Sequence, residues 1–159
     1  MPHGVLFREA GEGFIRQRII ENNLIDTIIG LPSNLFYGTS IPTCLIILKN
    51  NKKNKDIFFI DGSFEYYKDK RQNKLREEDI SKILTAYRKR KDILKYCRAV
   101  SFEEIAENDY NLNIVRYIDT FEGYENVDLR ISKAELKKLQ IERVKLESEA
   151  EIIFDKIVI

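Results

Sequence analysis

The apolar positions change their spacing along the chain. Up to residue 62 they come in short, β-branched runs punctuated by Gly, Pro and Asn, and from residue 77 they follow helical spacing. Leu24-Ile-Asp-Thr-Ile-Ile-Gly-Leu31 is apolar on both alternations, as expected of a strand covered on both faces. Pro42 to Leu48 predicts a second strand, and Asp56 to Ile60 a third ending at Asp61-Gly62. The polar turn Asn50 to Asn54 lies between them, and two strands so joined are most simply antiparallel. His3 to Phe7 reads as the end of a buried strand. A helix from Phe14 to Asn22 follows, with Phe14, Ile15, Ile19 and Ile20 as its apolar stripe.

In the second regime Ile80, Ile83, Leu84 and Tyr87 keep the i, i+3, i+4, i+7 spacing of a helix. Glu77 to Asp79 occupy its first turn and Arg88 to Lys91 its last, the polarity that suits the helix dipole. Ser101-Phe-Glu-Glu104 is a capping-box pattern opening a short helix to about Glu107. Asn108 to Asn113 is rich in turn formers and leads into Ile114 to Ile118, a short strand or extended connector. Phe121 to Asp128 reads as a linker. From Ser132 a last helix carries the seam Leu136, Leu139, Leu146, Ala150, Ile153 and Ile157, with Arg143 at its one polar position. Such a seam packs either on another helix or back on its own domain. The expected organisation is α/β: strands of a sheet over residues 1–62, a helical and irregular extension over 63–120, and a linker with a C-terminal helix over 121–159.

Composition narrows the function classes. In 159 residues, 27 Lys and Arg oppose 26 Asp and Glu, but residues 49–98 alone carry a net charge of +8, sixteen basic against eight acidic. That basic middle third permits contact with nucleic-acid phosphate, and it is equally what a solvated Lys-rich surface looks like. The longest apolar run, Cys44 to Leu48, is far too short for a membrane helix, and neither a signal peptide nor a lipidation box is expected. One His and two distant Cys make metal enzymology improbable, and the unpatterned cysteines suit a reducing cytoplasm.

Candidate chemistry is sparse. There is no P-loop and no nucleophile elbow. Gly11-Glu-Gly13 is a weak candidate for a phosphate-cradling turn, because it lacks a third glycine and a downstream acidic partner. More informative is Leu31-Pro-Ser-Asn-Leu-Phe-Tyr-Gly-Thr-Ser-Ile-Pro-Thr43, which sets Phe36 and Tyr37 in a Gly- and Pro-constrained loop between two strands. Loops at strand ends are where α/β sheets place their binding surfaces. An aromatic there either plugs the end of the core or offers its face to a planar ligand.

Four runs, His3-Gly-Val-Leu-Phe-Arg8, Leu24-Ile-Asp through Gly30-Leu-Pro-Ser-Asn-Leu-Phe-Tyr-Gly-Thr39, Ile41-Pro-Thr-Cys44, and Glu107-Asn-Asp-Tyr-Asn-Leu-Asn113 with Arg116-Tyr117, closely resemble one family. It is the modification subunit of type I restriction-modification systems, an adenine-N6 DNA methyltransferase. The resemblance covers about residues 2–120. It implies the C-terminal part of a doubly wound, Rossmann-like methyltransferase sheet followed by a helical tail.

It further implies an enzyme that uses S-adenosylmethionine, although the family's cofactor glycine loop and its Asn/Asp-Pro-Pro-Tyr/Phe catalytic loop are both missing from this sequence. No catalytic or cofactor-binding residue is therefore assigned, and no cofactor is expected for this chain alone. The family's loop corresponding to residues 31–43 lies beside a flipped adenine, which carries a target-base role onto Phe36, or else Tyr37, with Pro32 and Asn34. Lys52, Lys53 and Lys55 become candidate DNA-backbone contacts, as does the segment Lys68 to Arg76. Leu136, Leu139, Leu146, Ile153 and Ile157 become a candidate interface. The implied partners are DNA and the specificity and restriction subunits of the same system. Truncation of the sheet would also expose the strand edge at residues 3–7, to be covered by self-association or a rearranged terminus. The competing reading is a non-catalytic interaction module built around the C-terminal helix.

Overall fold

The computed structural model describes residues 1–120, 133 and 136–147. Met1–Phe121 and Glu122–Ile159 form two compact units. The first unit is built on a four-stranded sheet in the order β2-β1-β3-β6, from β1 (Ile25–Leu31), β2 (Thr43–Leu48), β3 (Ile57–Asp61) and β6 (Cys97–Val100). Two short strands, β4 (Tyr67–Asp69) and β5 (Gln72–Lys74), form a separate hairpin. Helices α1 (Gly11–Glu21), α2 (Glu77–Lys89) and α3 (Phe102–Glu107) complete it.

Every residue of β1 and of β3 is buried, as the continuous apolar runs require. Successive residues serve opposite faces. Ile28 and Phe59 join Leu6, Ile20, Ile105, Leu112, Ile114 and Tyr117 on one side. Ile29, Phe58 and Ile60 meet Ile83 and Ala86 of α2 on the other. The predicted antiparallel pair is not formed: β2 and β3 run in opposite directions but do not touch. Instead β1 lies between them, antiparallel to β2 and parallel to β3 with Thr27 opposite Phe58 and Gly30 opposite Asp61. A strand buried on both faces needs partners on both edges, and the Asn50–Asn54 turn crosses its amino end to supply the second. The turn is held there by Asn23, whose Nδ2 donates to the carbonyls of Lys52 at 3.3 Å and Asn54 at 3.0 Å.

The amino-terminal strand is a second correction. His3–Leu6 is a 3-10 turn, closed by Phe7 N and Arg8 N donating to the Gly4 carbonyl at 3.1 and 2.9 Å. With the Gly4 carbonyl used within the turn and the His3, Val5 and Leu6 backbone groups bonded to Pro42, Arg16 and Leu112, the segment presents no strand edge. The sheet's edges are β2 and β6, and Pro2 bridges Thr43 on the outer side of β2. Residues 114–116, read as a strand or extended connector, also form a 3-10 turn. In α1 only half of the apolar stripe faces the core: Ile20 is buried and Ile19 packs against the core, Phe14 and Ile15 are exposed, and Arg16 is buried in their place. The predicted helices at 77 and 102 are present, and Ser101 Oγ accepts from Glu104 N at 3.2 Å as its motif requires. Among the described residues, no helix is long and apolar enough to cross a membrane.

One buried ion pair locks α2 to the sheet. Arg90, just past the helix in a left-handed conformation, donates from Nη1 to Asp26 Oδ2 at 2.8 Å, and Thr27 Oγ1 donates to the same carboxylate oxygen at 2.9 Å. Burial works to raise the Asp26 pKa, but the hydrogen bonds from Arg90 and Thr27 outweigh it and hold the carboxyl below its ordinary value. Its contribution to stability is therefore present above the unfolded pKa and lost as pH falls through the folded one. Arg90→Ala is expected to cost about 3 kcal/mol at neutral pH, the low end for breaking a buried pair because Arg90 is itself partly exposed. Without Arg90, Asp26 keeps the burial penalty and loses its largest compensation, with the Thr27 bond remaining. The deficit should therefore shrink as the pH is lowered through the carboxylate range, and disappear only where the wild-type carboxyl, held below its ordinary value, is itself protonated. Urea unfolding at several pH values checks this, and a pH-independent deficit would contradict it.

Candidate functional site

The carboxyl ends of the parallel strands β1 and β3 are close-packed: the Gly62 amide donates to the Gly30 carbonyl at 3.0 Å, and a Cβ on Gly62 would meet that oxygen at 2.8 Å. Two segments leave from this end, the loop after β1 and the β4–β5 hairpin after β3. Open α/β sheets place their binding crevices at this end.

The loop is fixed at its root. Pro32 is fully buried, and Asn34 adopts a left-handed conformation with φ 53°. Three successive carbonyls accept hydrogen bonds from the hairpin: Ser33 from Asn73 Nδ2 at 2.8 Å, Asn34 from Asn73 N at 2.9 Å, and Leu35 from Gln72 Nε2 at 2.9 Å. Asn34 returns one bond, from Nδ2 to the Arg71 carbonyl at 2.6 Å. Leu35 then turns inward onto the Ile29, Phe58 and Ile60 core cluster. The core plug is therefore Leu35, which leaves Phe36 53% and Tyr37 91% exposed. Gly38 at φ 76° turns the chain back, in a conformation glycine adopts at no steric cost. The far end of the loop is tied to the amino terminus, where His3 N donates to the Pro42 carbonyl at 3.0 Å. Burial lowers the His3 pKa, against an opposing pull from Asp61.

The two basic segments lie at opposite ends of the sheet. Lys52, Lys53 and Lys55 belong to the turn at the amino end of β1, a strand of seven residues and so roughly 20 Å from the aromatic loop. Lys52 is half-buried there, donating from Nζ to the carbonyls of Ile25 at 2.5 Å and Asp56 at 2.8 Å. Lys55 Nζ sits 5.0 Å above the Phe102 ring, and Lys53 is exposed. By contrast, the exposed Lys68, Lys70, Arg71 and Lys74 lie on the hairpin that holds the loop, with Lys74 paired to Asp69 at 2.5 Å.

Gln72 and Asn73 were invisible as loop partners in the sequence. Asp69-Lys70-Arg71-Gln72 carries no Gly or Asn turn signal, and Lys70 takes up the left-handed conformation itself at φ 51°.

Gly11-Glu-Gly13 forms the first turn of α1, and the segment before it is a 3-10 turn rather than a strand. The strand–turn–helix needed to cradle a nucleotide cofactor is thus not formed there. Among the described residues, no three His, Cys, Asp or Glu side chains gather as a metal site requires. Within the second unit, residues 136–147 are helical, and Leu136, Leu139 and Leu146 are exposed, as are Ile141 and Val144. Ile153 and Ile157 lie outside the described residues.

A mixed sheet covered on both faces, with an aromatic loop held at the carboxyl end of a central strand, defines a mixed α/β protein. The model of the N-6 DNA Methylase family matches residues 1–126, and the chain belongs to that family. The Type I restriction enzyme MjaVIII methylase subunit of Methanocaldococcus jannaschii is 43% identical over 148 residues, which is 89% of this chain and 26% of that protein. The Type I restriction enzyme MpnII methylase subunit of Mycoplasma pneumoniae is 37% identical over 129 residues, 80% of this chain and 24% of that protein. The crystal structure of a type I restriction-modification system methyltransferase subunit from Streptococcus thermophilus superposes with a TM-score of 0.74 and 58% identity, covering 76% of this chain and 25% of that one. The chain therefore spans about a quarter of the length of these relatives.

Proposed function

We propose that the chain is the C-terminal portion of a type I adenine-N6 DNA methyltransferase subunit and forms the wall against which a flipped target adenine rests. Enzymes that act on a base inside duplex DNA first swing it out of the stack and bind it in a pocket. The observation that carries the proposal is the outward presentation of Phe36 and Tyr37 on a root pinned by the hairpin. Phe36 is assigned the stacking face, with Tyr37 beside it and Pro32 and Asn34 shaping the loop. Lys68, Lys70 and Arg71 on the same end of the sheet are assigned to flanking phosphates, whereas Lys53 and Lys55 would touch DNA only farther along the duplex.

The remaining assignments follow the family. Residues 1–62 and 63–120 complete the methyltransferase sheet and its extension, and 121–159 dock the specificity subunit through Leu136, Leu139, Leu146, Ile153 and Ile157. S-adenosylmethionine supplies the methyl group and is held by the part of the subunit that this sequence lacks. DNA, the specificity subunit and the restriction subunit are the partners, and the cytoplasm the location. In isolation the chain neither binds the cofactor nor transfers methyl groups, and its uncharged β2 edge favours self-association.

The test is a graft. Residues 1–120 replace the matching segment of the Streptococcus thermophilus subunit, which is then assayed with its specificity subunit for methyl transfer to adenine. The graft is expected to methylate and the isolated chain to be inactive. A folded, DNA-binding graft without activity, or methylation by the isolated chain, would refute the proposal.

A further inference from the structure

The β4–β5 hairpin is the chief polar support of the target loop, and its donors converge on one short stretch of backbone. Asn73 is 8% exposed and uses both its backbone and side-chain N–H on consecutive loop carbonyls, those of Asn34 and Ser33. Gln72 takes the next carbonyl, that of Leu35. These bonds end one residue before Phe36. A polar side chain as buried as Asn73 would be costly without partners, and here its donors serve a loop rather than its own hairpin. A ring at the end of a loop closed by Gly38 would otherwise sample many orientations, and a stacking face contributes fully only when its orientation is set beforehand.

We propose that Asn73 and Gln72 are positioning residues for methyl transfer, holding the backbone of residues 33–35 so that Phe36 meets the everted base already oriented. The inference rests on the base-contact reading above, and it predicts that freeing the loop from the hairpin slows the chemical step without weakening the grip on DNA, since Lys68, Lys70 and Arg71 stay on the hairpin.

Two measurements test it, one on the full chain and one on the graft. Chymotrypsin cleaves after aromatic residues but needs a locally opened chain, so its rate at Phe36 and Tyr37 reports how firmly the loop root is held. Asn73→Ala is expected to raise cleavage there by about tenfold, and Gln72→Ala, which removes a single side-chain bond from a half-buried position, by about threefold. Cleavage at other aromatic residues should stay at the wild-type rate. In grafts carrying each substitution, turnover should fall in the same order while the dissociation constant for DNA is unchanged.

Wild-type cleavage rates in both variants would overturn the proposal, and so would a loosened loop with undiminished turnover. Failure of the underlying reading looks different. If Phe36→Ala grafts methylate normally while Asn73→Ala and Gln72→Ala grafts are slow, the base-contact assignment falls and the positioning role stands.

Discussion

Replacing Phe36 by alanine in the grafted methyltransferase is expected to slow adenine methylation by roughly ten- to a hundredfold while DNA affinity stays nearly constant. The magnitude follows from the about 1–3 kcal/mol that one aromatic ring contributes to a stacked base. The asymmetry follows from where the contact is made. Phe36 is half exposed at the end of a pinned loop, and on the proposed reading only a base swung out of the duplex reaches its face. The ring therefore stabilises only the everted state, and an interaction absent from the initial complex appears in turnover rather than in binding. Tyr37→Ala should cost less, because a side chain 91% exposed has little around it to set its orientation. Single-turnover rates at saturating cofactor, beside dissociation constants for the same duplex, separate the two effects. Equal loss of rate and of affinity would make Phe36 an ordinary DNA contact.

The second large effect concerns stability. Arg16→Ala should destabilise the first unit by about 4 kcal/mol, near the upper limit for single substitutions. Arg16 is buried in α1 and donates from Nε to the Tyr110 carbonyl at 2.8 Å, and from Nη1 to those of Val5 at 3.1 Å and Arg8 at 2.8 Å. One side chain thus joins the amino-terminal turn, α1 and the segment after α3. In that last segment Asp109 and Tyr110 both hold left-handed conformations at φ 55°, which non-glycine residues maintain only when their surroundings over-determine them. Alanine would leave three carbonyls without a charged donor, each such bond being worth about 1.5–3 kcal/mol before non-additivity. Arg16→Lys should recover only part of the loss, because an ammonium lacks the fork that spans these acceptors. Urea midpoints for the two variants decide the matter, and a lysine variant as stable as the wild type would contradict the account.

The same arginine shows where sequence patterning stops. Strands β1 and β3 were legible because their buried positions are mostly apolar, and β2 and α2 because their residues favour those elements, even though Leu45, Leu48, Ile80 and Leu84 are exposed. Helix α3 was legible from its capping motif. In α1 the spacing pointed to Phe14, Ile15, Ile19 and Ile20, yet only Ile19 and Ile20 pack on the core and the helix turns Arg16 inward beside them, where three carbonyls take its donors. β6 went unread because Cys97-Arg-Ala-Val is short and directs Arg98 outward to Glu104. The run His3 to Phe7 looked like a strand because Val, Leu and Phe are strand formers, and nothing local revealed that Gly4 would close a tight turn.

For the site, the aromatic pair and its Gly–Pro frame could be read directly, and the family resemblance supplied the role proposed for them. What holds the loop could not be read, because hydrogen bonds from residues 72 and 73 to residues 33–35 leave no periodic trace across nearly forty positions. The distribution of charge was similarly hidden. Two Lys-rich segments look alike in the sequence, but one stands beside the loop and the other at the far end of β1, where Lys52 spends its ammonium on backbone carbonyls.

The most direct measurement places 2-aminopurine, whose fluorescence is high when unstacked and quenched against an aromatic ring, at the target adenine of a duplex bound by the graft. With the native loop the everted probe should remain dim, and in Phe36→Ala it should brighten several-fold. Equal brightness in the two complexes, with the base shown to be everted in both, would mean that Phe36 is not the surface on which the purine rests.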